Sequence, residues 1–207
     1  MTLYRKYRPQ SFADFVNQKS IKLTIQNQIA ARDMPHGYLF SGPRGVGKTT
    51  MARLIAKAVN CEKYTKGVFE PCLKCRSCTE IAKGISLDVE EKDAASNRGI
   101  DDIRVLKDTV RFVPSRGRYK IVIIDEVHML TTPAFNALLK TLEEPPPHIL
   151  FVLATTEPHK LPETIISRCQ RFDFKKVSEK EIGEHLALVA KKEGVLIDKE
   201  VISAIAS

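Results

Sequence analysis

The stretch GPRGVGKT, residues 42–49, carries the spacing G-x-x-x-x-G-K-[ST]. Glycines at Gly42, Gly45 and Gly47 let a loop curl until its backbone N–H groups face a phosphate. In such a loop the Lys48 ammonium reaches the β and γ phosphates, and the Thr49 hydroxyl reaches Mg²⁺. Pro43, Arg44, Val46 and Thr50 complete the loop. GYLFSG before it reads as a short buried strand, and TTMARLIAKAVN after it as a helix. Strand, glycine turn and helix together point to binding of a nucleoside triphosphate such as ATP.

Breaking a phosphoanhydride also needs a carboxylate for the metal and a base for water. IVIIDEVHML supplies two acids at the end of an apolar run. Asp125 is placed to hold Mg²⁺, and Glu126 to orient and activate the attacking water. His128, two residues on, is expected to have a local structural role.

Four of the five cysteines fall between residues 61 and 78. Cys72, Cys75 and Cys78 form C-x₂-C-x₂-C, and the intervening chain can bring Cys61 back as a fourth ligand. A closed Cys₄ set suits a structural Zn²⁺ with no open coordination position. An iron–sulfur cluster fits less well in these polar surroundings. The module, 61–78, is inserted between the phosphate-loop helix and the next strand, and is expected at the edge of the fold, away from the chemistry. Cys169 reads as an ordinary small buried residue.

The elements that carry these residues alternate. ISLDVEEKDA, YKIVIIDE, HILFVLATT and CQRFDF read as strands, whereas IDDIRVLKDTVRFV and TPAFNALLKTLEEPPP have helical periodicity. The alternation predicts an α/β fold, a parallel doubly wound sheet flanked by helices. Of 207 residues, 43% are apolar, enough for a sizeable core. After about residue 175 the pattern becomes helical. Ser178 and Glu181 have capping-box spacing, and IDKEVISAIAS begins a further helix. The expected division is a nucleotide-binding domain over 1–175 and the start of a helical lid domain, cut short, over 176–207. The formal net charge is +8, which suits a polyanionic partner such as nucleic acid. No apolar run follows MTLYRKYRPQ, and no stretch approaches 18 apolar residues, so a secretory signal or a membrane span is not expected. A cytoplasmic protein with reduced thiols is.

The stretches YRKYRPQSFADFVNQ, GPRGVGKTT, DAASNRGIDDIR, GRYKIVIIDEVHML, FNALLKTLEEPP, LATTEPHKLP and ISRC, with the cysteine set, make the chain resemble the AAA+ clamp-loader ATPases over nearly its whole length. The resemblance implies a motor within a DNA polymerase complex. ATP binding would arrange subunits around primed DNA and open a sliding clamp, and hydrolysis would release both. Its partners would be other clamp-loader subunits, the clamp and the DNA. It implies an adenine pocket from Arg5, Tyr7, Arg8, Pro9, Val16 and Gln18, and a γ-phosphate sensor at Thr156. It also implies an arginine finger at Arg168 that acts in trans on a neighbour's ATP. The family usually has glycine where Asn17 stands; asparagine tolerates left-handed backbone, so the turn is expected to survive. The family's second lid arginine and its collar domain have no counterpart here, so efficient hydrolysis by these residues alone is not expected. Two other readings are a helicase, since DEVH matches a DExH box, and a zinc-stabilised scaffold that binds ATP without turnover.

Overall fold

The computed structural model describes residues 2–206, with Arg5 described by its backbone alone. In chain order the elements are α1 (Leu3–Lys6), α2 (Lys19–Ala31), β1 (Gly37–Ser41), α3 (Lys48–Val59), α4 (Arg76–Lys83), β2 (Val89–Asp93) and α5 (Ile100–Val110). They continue with β3 (Lys120–Asp125), α6 (Thr132–Glu143), β4 (Ile149–Thr155), α7 (Glu163–Ile166), β5 (Gln170–Asp173), α8 (Glu179–Glu193) and α9 (Lys199–Ala206). The five strands are all parallel, in the order β2-β3-β4-β1-β5.

The apolar runs are strands because both faces of the sheet are covered. Successive side chains point to opposite faces, and the two cores divide accordingly. Tyr38, Phe40, Ile121, Ile123, Leu150 and Val152 pack with Ile25 of α2 and Met51, Leu54 and Ile55 of α3. Their neighbours Leu39, Val122, Ile124, Phe151 and Leu153 pack on the other face with Ile103 and Leu106 of α5 and Leu138 and Leu142 of α6. The outer strands differ in composition. β2 is VEEKD and β5 is QRFD, and neither is fully buried. Short, charged edges resist pairing with further chains.

Helix α2 is not among the elements expected from the sequence. Its signal is Ile21, Ile25 and Ile29, spaced by four and all buried. The turn before it does survive with Asn17, which has φ 68, and Gln18 follows at φ 55. At α8 the expected capping box forms: Ser178 Oγ accepts from the Glu181 N–H, and the Glu181 carboxylate accepts from the Ser178 N–H. Among the described residues no helix is long and apolar enough to cross a membrane.

Candidate functional site

The loop between β1 and α3 is shaped by glycines. Gly42, Gly45 and Gly47 have φ 142, 79 and 99. A Cβ on Gly42 would lie 2.4 Å from the Phe174 carbonyl oxygen, and one on Gly47 would lie 2.7 Å from the Phe15 ring. Neither position admits a side chain. Lys48 is 6% exposed, and its Nζ donates to the carbonyls of Gly42 and Pro43, each at 2.7 Å. Burial lowers its pKa, against the opposing pull of Glu126 and Asp125. The ammonium therefore sits inside the loop at the N-terminus of α3, where the helix dipole adds to the positive field.

Asp125 ends β3. Its Oδ2 accepts from Thr49 Oγ1 at 2.7 Å, and its Oδ1 from the Glu126 N–H at 3.0 Å. A carboxylate and a hydroxyl side by side form an oxygen donor set that fits a hard divalent cation such as Mg²⁺. Glu126 has left-handed backbone, φ 48, which costs a residue with a Cβ about 1–2 kcal/mol. Strain of this kind persists where the surroundings hold it. Here Glu126 Oε2 accepts from the Thr156 N–H at 3.2 Å and from Thr156 Oγ1 at 2.9 Å. Oε1 carries only the longer approach of Arg44 Nε, 3.6 Å. Thr156 thus pins one oxygen of the carboxylate, a contact not foreseen from the sequence. His128 lies behind this array, with Nδ1 2.9 Å from Thr155 Oγ1 and Nε2 3.0 Å from Glu157.

These groups open on a cavity of about 750 Å³ lined by Arg44, Gly45, Gly47, Lys48, Thr49, Thr50, Asp125 and Glu126. Tyr7, Arg8 and Pro9 form a second wall. Val16 and Val46 line an adjoining space of about 240 Å³. Gln18 lies in neither wall: its side-chain amide pairs with the N–H and carbonyl of Lys175. The Arg5 side chain lies outside the described residues. The third wall comes from α8, through His185, Leu186 and Val189, and sequence reasoning missed it. With Ile182 they fall at i, i+3, i+4 and i+7, an apolar stripe that marked a packed face but not its occupant. Asp93, paired in register with Asp125, also lines the cavity and was missed. Arg168 is not among the lining residues. It follows α7, where its guanidinium bonds Glu143 at 2.8 Å and the Thr164 carbonyl at 2.9 Å.

The cysteine cluster forms. The Sγ atoms of Cys61, Cys72, Cys75 and Cys78 all lie within 4.8 Å of one another. A tetrahedral site with Zn–S bonds of about 2.3 Å needs separations of about 3.8 Å, so the set fits Zn²⁺ with slight contraction. Leu73, between the first two thiols of the triplet, turns through φ 60. Backbone N–H groups of Cys72, Cys75 and Cys78 donate to the sulfurs of Cys61, Cys72 and Cys75 at 3.3–3.4 Å. Burial raises the Cys72 pKa, but backbone N–H groups of Lys74 and Cys75 and the neighbouring thiols outweigh it and hold the group at about 6. That favours the thiolate a metal requires. Burial instead raises Cys61 and Cys78. Cys169 stands apart, buried against Gly37. Purified protein is expected to hold about one zinc per chain, and Cys75→Ser to lose it, because three thiolates bind far more weakly than four. Metal analysis of chelator-free preparations checks both, and metal-free wild type would refute the assignment.

Comparison with known proteins bears on the whole arrangement. A family model described as DNA polymerase III, delta subunit, matches residues 17–178. The chain is 54% identical over 205 residues to DNA polymerase III subunit tau of Bacillus subtilis, covering 99% of this chain and 36% of that protein. It is 50% identical over 203 residues to DNA polymerase III subunit gamma of Buchnera aphidicola from Schizaphis graminum, covering 98% and 55%. The chain thus spans about a third to just over half the length of these curated relatives. Among solved structures, the RuvB Holliday junction branch migration motor of Thermotoga maritima superposes with a TM-score of 0.69 at 21% identity, over 97% of this chain and 59% of that one. That likeness shows the fold alone, a parallel sheet flanked by helices.

Proposed function

Because the chain belongs to the DNA polymerase III family whose model matches residues 17–178 and is similar over nearly its whole length to gamma and tau subunits, we propose that it carries the ATP-driven motor of a clamp loader, which uses ATP binding and hydrolysis to place a sliding clamp on primed DNA. The observation that carries this reading is the convergence of Lys48, the Thr49–Asp125 pair and Glu126 on one cavity, with Thr156 holding Glu126 from behind. Lys48 and the loop N–H groups would hold the β and γ phosphates. Thr49 and Asp125 would hold Mg²⁺, which when bound neutralises charge on the phosphate oxygens. Glu126 Oε1, the oxygen not engaged by Thr156, would take a proton from the attacking water. Tyr7, Arg8, Pro9 and Val16 would face the base, and Arg168 would serve a neighbouring subunit. Other clamp-loader subunits, the clamp and DNA would be the partners, in the cytoplasm. The zinc module would be structural.

Replacing Lys48 by alanine removes the one side-chain cation the loop encloses. Charge-assisted hydrogen bonds are about twice as strong as neutral ones, so a labelled ATP analogue is expected to bind at least about 100-fold more weakly, a loss of about 2.7 kcal/mol. Unchanged affinity would refute the site. DNA-dependent ATP turnover in the assembled loader, without strand displacement, separates a clamp-loading motor from a helicase or an inactive scaffold.

A further inference from the structure

The wall of the cavity that holds Arg8, Pro9 and Val16 is built on a strap, residues 7–18, that contains no helix or strand. Its shape depends on what grips it. Phe12 and Phe15 are buried beneath it, and the Phe15 ring closes over Gly47. Lys22 of α2 donates to the carbonyls of Phe12 and Phe15. Two further grips come from elsewhere. Lys57, on the phosphate-loop helix and 2% exposed, donates to the Gln10 carbonyl at 2.6 Å and to its Oε1 at 3.0 Å. The Gln10 side chain passes the contact on, donating to the Arg8 carbonyl at 2.8 Å. Glu70, in the loop between Cys61 and Cys72, accepts the Phe12 N–H at 3.1 Å. The cysteine insert reaches the same point from behind, since the Cys78 thiol lies 3.9 Å from the Lys57 carbonyl.

We propose that Lys57 and Glu70 are positioning residues for the nucleotide base: they hold the strap so that Arg8, Pro9 and Val16 form a wall before ligand arrives. The insert, expected at the edge and away from the chemistry, then serves as the backing of the base side of the pocket. The inference rests on the cavity's being a nucleotide site. Its physical ground is that an unstructured segment has conformational freedom to lose on binding. A ligand that must order the strap binds more weakly by the fraction of molecules already ordered. The phosphate loop has a frame of its own in β1, α3 and the Lys48 contacts, and meets the strap at the Phe15 ring over Gly47. Loosening the strap should therefore cost more affinity for the base than for the phosphates.

The test compares two ligands with the full-length protein and Mg²⁺: ATP, which has a base, and inorganic tripolyphosphate, which has none. Glu70→Ala removes one hydrogen bond and Lys57→Met removes two, and each is expected to weaken ATP at least about 5-fold and to weaken tripolyphosphate much less. Glu70→Gln keeps an acceptor oxygen for the Phe12 N–H and is expected to bind ATP as wild type does. Zinc content and melting temperature of the Glu70 variants are measured alongside. Equal losses for both ligands, no loss for ATP, or a Glu70→Gln variant as weak as Glu70→Ala would each overturn the proposal. Wild type that binds neither ligand would overturn the nucleotide reading itself, and this inference with it.

Discussion

Arg168→Ala is expected to leave the chain's own ATP affinity unchanged and to cut turnover in an assembled loader by roughly 10³–10⁵, the range arginine fingers supply in other nucleoside triphosphatases. Two observations support it. Arg168 is not among the residues that line the phosphate-loop cavity, so its loss would remove nothing that touches a ligand there. Its guanidinium is also cheaply released. The Glu143 pair is 2.8 Å long, but its side chains are 33% and 47% exposed, and exposed ion pairs contribute about 0–1 kcal/mol. A neighbour's triphosphate, more highly charged than one carboxylate, would compete for it. The decisive measurement mixes subunits lacking Arg168 but retaining Lys48 with subunits lacking Lys48 but retaining Arg168. Recovery of turnover in mixed complexes is expected. Its absence in complexes shown to be mixed, or full activity of the Arg168→Ala complex, refutes action in trans.

Glu126→Gln is expected to bind ATP normally and to lose about 10²–10⁴ in turnover, the contribution of a positioned general base. The amide keeps the size of the side chain, and its oxygen can accept from the Thr156 N–H and hydroxyl as Oε2 does now. What it lacks is a basic oxygen on the cavity side. Thr156→Val is the informative companion. It removes the hydroxyl that fixes Glu126 while sparing the backbone N–H, so its turnover should fall less than that of Glu126→Gln. Rates from single-turnover experiments on the assembled complex check both. If Glu126→Gln turns over like wild type, the base lies elsewhere.

The phosphate loop, the paired acids and the cysteine spacing were legible because each is local: a handful of neighbouring residues in one stretch specifies the geometry. The strands β1, β3 and β4 were legible because burial on two faces leaves an unbroken apolar run. What escaped reading is what depends on distant segments meeting. Nothing around Thr156 announces that it grips Glu126, thirty residues away. His185 and Leu186 look like any helix face until α8 is seen over the loop. Gln18 carries the pocket motif of the resembled family, but its side chain is committed to Lys175, a pairing no spacing rule reveals. Helix α2 is hard to read for a simpler reason: its isoleucine stripe lies among polar residues and begins at a left-handed Gln18 instead of a recognisable cap.

The sheet order also sets a timetable for synthesis. β1, which ends at the phosphate loop, finds both of its neighbours late: Gly37 pairs with Phe151, and Tyr38 with Gln170. The loop itself is closed when the Phe174 N–H reaches the Ser41 carbonyl at 2.7 Å. At translation speeds of about 5–20 residues per second, β1 waits on the order of 5–30 s on the ribosome with its apolar edges unpaired. Over that interval the phosphate loop lacks the strand partners that frame it in the finished fold. A ligand of the loop would lower the free energy of the finished state by mass action. A ligand bound at the finished loop would thus oppose unfolding more than it would speed folding.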